Sequence, residues 1–166
     1  AFTIDPATGV LSFRSAPDHE APSDADGDKV FEVEVSASDG RLTDTQLLRV
    51  EIGDVDEPVR IVSDGGGESA SLSVTEEDPA VTRVGAIDPD GAAVAYRIAG
   101  GADAALFTID QATGDLRFAA APDHESPLDA DGDNVYEVEV SANDGNNADT
   151  QRIAVTVTNR NEAPAF

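Results

Sequence analysis

The chain has 166 residues, with 34 Asp and Glu against 10 Lys and Arg, for a formal charge of −24. That sign excludes a nucleic-acid backbone as partner, because phosphate-binding surfaces are basic, and it disfavours anionic lipid unless a cation bridges the two. Cysteine is absent, so neither a disulfide framework nor a thiolate metal site can form, and no apolar run reaches membrane-spanning length.

In chain order the first clear elements are Val30 to Val35, alternating apolar and acidic residues, and Leu48 to Ile52. A period of two predicts strands with one buried and one wet face. Gly65-Gly66-Gly67 reads as a flexible turn ahead of the first strand of the following module; a phosphate-cradling loop would need a Lys and a helix after it. Further strands are expected at Ser71–Val74, Val81–Ile87, Val94–Ile98, Leu106–Ile109, Leu116–Phe118, Val135–Val140 and Ile153–Val157. Turn signals punctuate them at Pro89-Asp90-Gly91, Thr113-Gly114-Asp115, Asp131-Gly132-Asp133 and Asn143-Asp144-Gly145. No stripe of helical period is present, and short strands with regular turns predict an all-β sandwich.

The chain repeats itself. Phe2-Thr3-Ile4-Asp5 recurs as Phe107-Thr108-Ile109-Asp110, and Ala16-Pro17-Asp18-His19-Glu20 as Ala121-Pro122-Asp123-His124-Glu125. Asp24-Ala25-Asp26-Gly27-Asp28 recurs as Asp129 to Asp133, all at one offset of 105 residues. A module copied in tandem is the simplest source of such a match. The period predicts residues 1–57 as the C-terminal half of one repeat and 58–162 as a complete one. Residues 163–166 are then the start of a connector to a following repeat, and the chain is expected to be part of a longer array.

Acid placement carries the chemistry. Glu32, Glu34, Glu137 and Glu139 lie on strand faces and serve solvation, but the others gather in short loops: Asp18-x-Glu20, Asp54-x-Asp56-Glu57, Asp88-x-Asp90, Asp123-x-Glu125 and the Asp-Gly pairs at Asp39 and Asp144. Such a surface is either a solvated coat or a cation site. Alternate spacing in an extended loop lets two carboxylates converge, which suits Ca2+ with its six to eight hard oxygens better than Mg2+ with its strict octahedron. Eight carboxylates held about 8 Å apart would repel by roughly 0.5 kcal/mol per pair in water, on the order of 5 kcal/mol in total after screening. That rivals the stability of a domain and favours a bound cation over a bare coat.

Val74-Thr75-Glu76, Ile87-Asp88-Pro89-Asp90, Phe107-Thr108-Ile109-Asp110, Thr113-Gly114, Asp123-His124-Glu125, Ala142-Asn143-Asp144 and Asn159-Arg160-Asn161-Glu162 follow one another in an order that resembles a cadherin repeat of the bacterial cadherin-like kind. The resemblance spans 58–162, with 1–57 resembling the second half of another repeat. It implies an immunoglobulin-like Greek-key sandwich in tandem repeats, with calcium held between successive repeats. The implied junction ligands are Asp18 and Glu20, the connector residues Asp54, Asp56 and Glu57 with the Val55 carbonyl, and Asp88, Asp90 and Asp144. A second, half-present site is implied at Glu76, Asp123, Glu125, Asn159, Asn161 and Glu162. The connector is one residue shorter than the animal pattern and the loop after Asp90 is short, so two ions are expected at the junction in place of the family's three.

Asp24-Ala25-Asp26-Gly27-Asp28 and its copy begin like an EF-hand loop, but Val35 or Val140 stands where the bidentate Glu belongs. An acidic turn and an additional, weaker calcium site both remain open. His19 and His124 are the middle residues of their triplets and are expected to turn away from the ions. The function implied by the resemblance is a calcium-stiffened module of a bacterial cell-surface or secreted adhesion protein. Its partners are calcium, the neighbouring repeats, and another copy of the chain or a surface polysaccharide. The alternative is a polysaccharide-binding module of an exported carbohydrate-active protein. Sugar platforms use exposed aromatics, however, and this chain offers Tyr96, Tyr136 and six Phe in mostly core phase. Enzymatic activity is not expected: no Ser-His-Asp order is credible and no Cys nucleophile exists.

Overall fold

The computed structural model describes residues 1–162; the 163–166 connector expected from the sequence lies outside the described residues. The chain divides into two compact units, Ala1–Asp56 and Glu57–Phe166.

In the second unit, β5 (Arg60–Ile61) pairs with β8 (Ala86–Ile87). A four-stranded sheet runs β6 (Ser69–Thr75), β13 (Ala148–Thr158), β12 (Val135–Asn143), β9 (Ala95–Gly100), and a three-stranded sheet runs β10 (Phe107–Ile109), β11 (Asp115–Phe118), β7 (Ala80–Arg83). All pairings are antiparallel except β6 with β13. The alternation read from sequence is what makes the sandwich: Val138, Val140 and Ala142 of β12 are buried, as are Ile153, Val155 and Val157 of β13. Leu116 and Phe118 of β11 join the same core. On the outer face Glu139 stands opposite Arg152, with Oε2 3.1 Å from its Nε. An exposed pair of this kind contributes at most about 1 kcal/mol.

Two details differ from the sequence expectation. Val81–Ile87 is broken into β7 and β8, because the Val84 N–H leaves the strand to donate to the Gly114 carbonyl at 2.9 Å. Gly114 is needed there: its φ is +76°, and a Cβ would lie 2.1 Å from the Val84 oxygen. The glycine triplet also does not precede the first strand. It follows β5, beginning with the last residue of a 3-10 turn at Ser63–Gly65, and separates β5 from β6. A two-residue strand is too short to show a period.

The first unit comprises two hairpins, β1 (Phe2–Ile4) with β2 (Leu11–Phe13) and β3 (Val30–Ser38) with β4 (Thr43–Glu51). They meet through Phe31, whose ring lies edge-on to Phe2 and Phe13 at centroid distances of 5.9 and 5.2 Å. Tyr136 does the same against Phe107 and Phe118 at 6.5 and 5.1 Å. The 105-residue offset is therefore structural: β3 and β12 start and end at equivalent positions.

Candidate metal centre

Topology places acids at both ends of the second unit. Because β12 and β13 are antiparallel, the turn holding Asp144 lies at one end and Asn159 to Glu162 at the other. β9 begins opposite Asn143, which brings the Asp88–Asp90 loop to the Asp144 end. Parallel pairing of β6 with β13 sets Glu76, just past Thr75, beside Thr158 at the other end.

At the Asp144 end, local backbone geometry fixes each carboxylate. Asp144 Oδ1 accepts the Asn146 and Asn147 N–H groups at 2.7 and 2.6 Å, and these bonds, that from Asn147 foremost, hold its carboxyl below the usual range. Its Oδ2 is buried and makes no hydrogen bond of good geometry, although the Val59 N–H and the Asp88 side chain lie near enough to lower the carboxyl further. Asp90 Oδ2 accepts the Glu57 N–H at 2.8 Å, and its Oδ1 is likewise buried and unpaired. Asp88 Oδ1 takes the Ala92 N–H at 3.3 Å. Two orphaned carboxylate oxygens at one end of a domain cost free energy unless a cation or water meets them, and hard oxygens are what Ca2+ prefers. The donor set fits that ion.

At the far end, Glu76 is 2% exposed and bridges two loops. Its Oε1 accepts the Arg160 N–H at 2.6 Å and its Oε2 the His124 N–H at 2.8 Å. Those bonds, Arg160 first, outweigh burial and keep its carboxyl below the usual range. Oxygens of Glu76, Asp123 and Glu125 lie within 4.8 Å of one another. Asp123 Oδ1 caps its own turn by accepting the Glu125 and Ser126 N–H groups, and Asn159 Nδ2 donates to Glu125 Oε1. Asn161 and Glu162 are exposed, and the charge of Glu76 pushes the Glu162 carboxyl upward.

Within the first unit, Asp18 Oδ1 accepts the Glu20 and Ala21 N–H groups at 3.0 and 2.9 Å, the turn of Asp123 repeated. Glu20 and Asp54 converge, with one oxygen each within 4.8 Å of the His19 ring. This corrects the expectation that His19 turns away: its Nδ1 lies 2.8 Å from Glu20 Oε1 and 3.3 Å from Asp54 Oδ1. Lys29 Nζ lies 3.1 Å from His19 Nε2, a contact across ten residues that no local pattern signals. Alternation along a loop orients Cα–Cβ bonds, but a long flat side chain can still fold back toward adjacent anions. His124 Nδ1 likewise lies 3.6 Å from Glu125 Oε1. The Val55 side chain is exposed on the connector between Asp54 and Asp56.

Both tyrosines are buried: Tyr96 is 9% and Tyr136 2% exposed. Neither can serve as a sugar platform.

The cadherin domain profile matches residues 69–158, more than half of the chain. This chain belongs to the cadherin family. Among curated relatives, the cadherin chain is 32% identical to Protein dachsous of Drosophila melanogaster over 165 residues, covering 89% of the chain but 4% of that protein. It is 46% identical over 68 residues to Halomucin of Haloquadratum walsbyi, covering 37% of the chain and 1% of that protein. The fold matches Drosophila N-cadherin EC1-4 with a TM-score of 0.65 at 17% identity, over 96% of this chain and 40% of that one. The chain thus spans a small part of the curated relatives it matches.

Proposed function

We propose that this cadherin chain is a calcium-binding module of a bacterial surface or secreted adhesion protein, in which ions held between successive repeats stiffen the array. Asp18, Glu20, Asp54, Asp56, Glu57, Asp88, Asp90, Asp144 and the Val55 carbonyl would hold the ions of one junction. Glu76, Asp123, Glu125, Asn159, Asn161 and Glu162 would supply half of the next. The observation that carries this reading is the pair of buried, unpaired oxygens, Asp90 Oδ1 and Asp144 Oδ2, at one end of a complete sandwich. Calcium supplies charge neutralisation and a fixed geometry; the protein's part is to hold carboxylates on backbone N–H groups so that their free oxygens stay poised. Ligands drawn from both sides of a connector fix the angle between repeats, whereas an ion-free connector samples many orientations.

Calorimetry and small-angle scattering with calcium and with chelator test this. Dissociation constants on the order of 10⁻⁵ to 10⁻³ M are expected, as for extracellular modules. Asp54→Ala with Asp56→Ala should remove most of the binding heat attributable to the connector while leaving the β-sheet circular dichroism unchanged. Wild-type affinity in the double variant, or identical scattering with and without calcium, rejects the clamp.

A further inference from the structure

We propose that the Asp129-Ala130-Asp131-Gly132-Asp133 loop is a divalent-cation site inside the repeat, separate from the acids at the two ends of the sandwich. One oxygen each of Asp129, Asp131 and Asp133 lies within 4.8 Å of the others. That alone describes an acidic turn. The deciding observation is Asp129, which is 7% exposed and has an oxygen, Oδ1, that is buried and accepts no hydrogen bond. Its other oxygen takes the Asp133 N–H at 2.8 Å. Three nearby donors are engaged elsewhere: the Ala130 and Glu137 N–H groups go to Asp103 at 2.8 and 2.7 Å, and the Val135 N–H goes to Asp133 Oδ1 at 2.8 Å. A buried, unpaired oxygen on one member of a cluster of three carboxylates favours a positive partner, and residues 129–133 hold no basic side chain.

The first repeat builds the same arrangement. Oxygens of Asp24, Asp26 and Asp28 converge within 4.8 Å, Asp24 Oδ1 is again buried and unpaired, and Asp28 Oδ1 takes the Val30 N–H at 2.9 Å. Glycine permits the shared loop path, with φ of +77° at Gly27 and +75° at Gly132. An EF-hand would close such a loop with a bidentate Glu, but Val140 is 0% exposed in the core. Three carboxylates therefore have to be completed by water. That predicts a weak site, with a dissociation constant on the order of 10⁻⁴ to 10⁻³ M, selective for Ca2+ over the smaller Mg2+. Its effect is to fasten the loop joining β11 to β12, the crossing from one sheet to the other.

Tyr136 supplies the readout. Its hydroxyl accepts the Leu128 N–H at 3.1 Å, so the phenol sits one residue from Asp129 and can sensitise emission from Tb3+ used as a calcium surrogate. The first repeat has Phe31 at this position and contributes no such signal. In a Tyr96→Phe background of the full chain, Tb3+ should give saturable tyrosine-sensitised emission that Ca2+ displaces and excess NaCl does not. Asp131→Asn should weaken the titration at least tenfold. Asp131 is exposed, so the variant should fold, and circular dichroism in chelator verifies this. Absence of emission, displacement by sodium, or an Asp131→Asn titration superimposable on its parent overturns the site.

Discussion

Glu76 reaches across 48 residues of sequence to accept the His124 backbone N–H at 2.8 Å, while its second oxygen accepts the Arg160 N–H. One buried side chain thus ties the end of β6 to the loop after β11 and to the segment after β13. Glu76→Gln keeps an acceptor for one of those groups but removes the charge that calcium would use. Calcium affinity at this end should fall at least tenfold, with only a small drop in melting temperature in chelator. Glu76→Ala should lower that temperature further, because both N–H groups lose their acceptor. Calorimetry and thermal unfolding of the two variants, with and without calcium, separate the roles. Equal loss of stability and of binding in Glu76→Gln would make Glu76 a purely structural residue.

The Tyr136 hydroxyl bond to Leu128 has no counterpart at Phe31, the equivalent position in the first repeat. The ring alone therefore suffices for packing between the sheets. Tyr136→Phe should cost about 1 kcal/mol, the usual net value of one hydrogen bond. Denaturant titration should show a lower midpoint with an unchanged slope. A loss several times larger would mean that the hydroxyl organises the whole 119–134 loop.

Asp110 accepts the Ala112 and Thr113 N–H groups at 2.9 and 2.8 Å, and Asp5 repeats the turn with Ala7 and Thr8. The bond from Thr113, then that from Ala112, lowers the Asp110 carboxyl below its ordinary value of 3.8. A depressed folded-state value means the ionised form adds stability above the unfolded value, and that stability is lost as pH falls through the folded one. Wild type should therefore melt above Asp110→Asn at neutral pH. The gap should begin to close near pH 4, close to the unfolded value, and should vanish at lower pH. A gap independent of pH would show that the turn does not depend on ionisation.

Where residue type alone dictates local structure, the sequence was readable. The middle of β12 follows from the apolar–acidic alternation of Tyr136 to Val140, and the turn at Thr113-Gly114 from a glycine that no other residue can replace. The break at Val84 was not readable, because its cause is a hydrogen bond to Gly114, thirty positions away. Among the acids, loop spacing pointed to Asp88, Asp90 and Asp144 but not to which oxygens backbone donors would occupy. Asp103 gave no signal at all. It is an isolated acid in an Ala- and Gly-rich stretch, yet it is 5% exposed and fastens the Ala130 and Glu137 N–H groups. Burial of a lone carboxylate depends on two distant donors, and no local pattern encodes that.

The two repeats share strand boundaries but not burial. Val138 and Val140 are 2% and 0% exposed and Ala142 is fully buried, whereas Val33 and Val35 are half-buried and Ala37 is exposed. In the first unit Phe31 is the buried side chain at the hairpin crossing, and Leu47 is 59% exposed. Equal backbone pairing with unequal apolar cover separates the contribution of hydrogen bonds from that of burial. Opening free energy follows buried apolar contact more than ladder bonds exposed to water. Amides of β12 and β13 should thus exchange at least a hundredfold more slowly than those of β3 and β4 at the same register positions. Exposed strand edges and apolar faces also invite association, so the first unit should gain protection as concentration rises if a second copy covers it. Hydrogen exchange measured by mass spectrometry at low and high concentration reads both effects. Equal protection of residues 30–35 and 135–140 in a strict monomer would mean that the paired hairpins, with Phe31 at their crossing, are sufficient for a stable core.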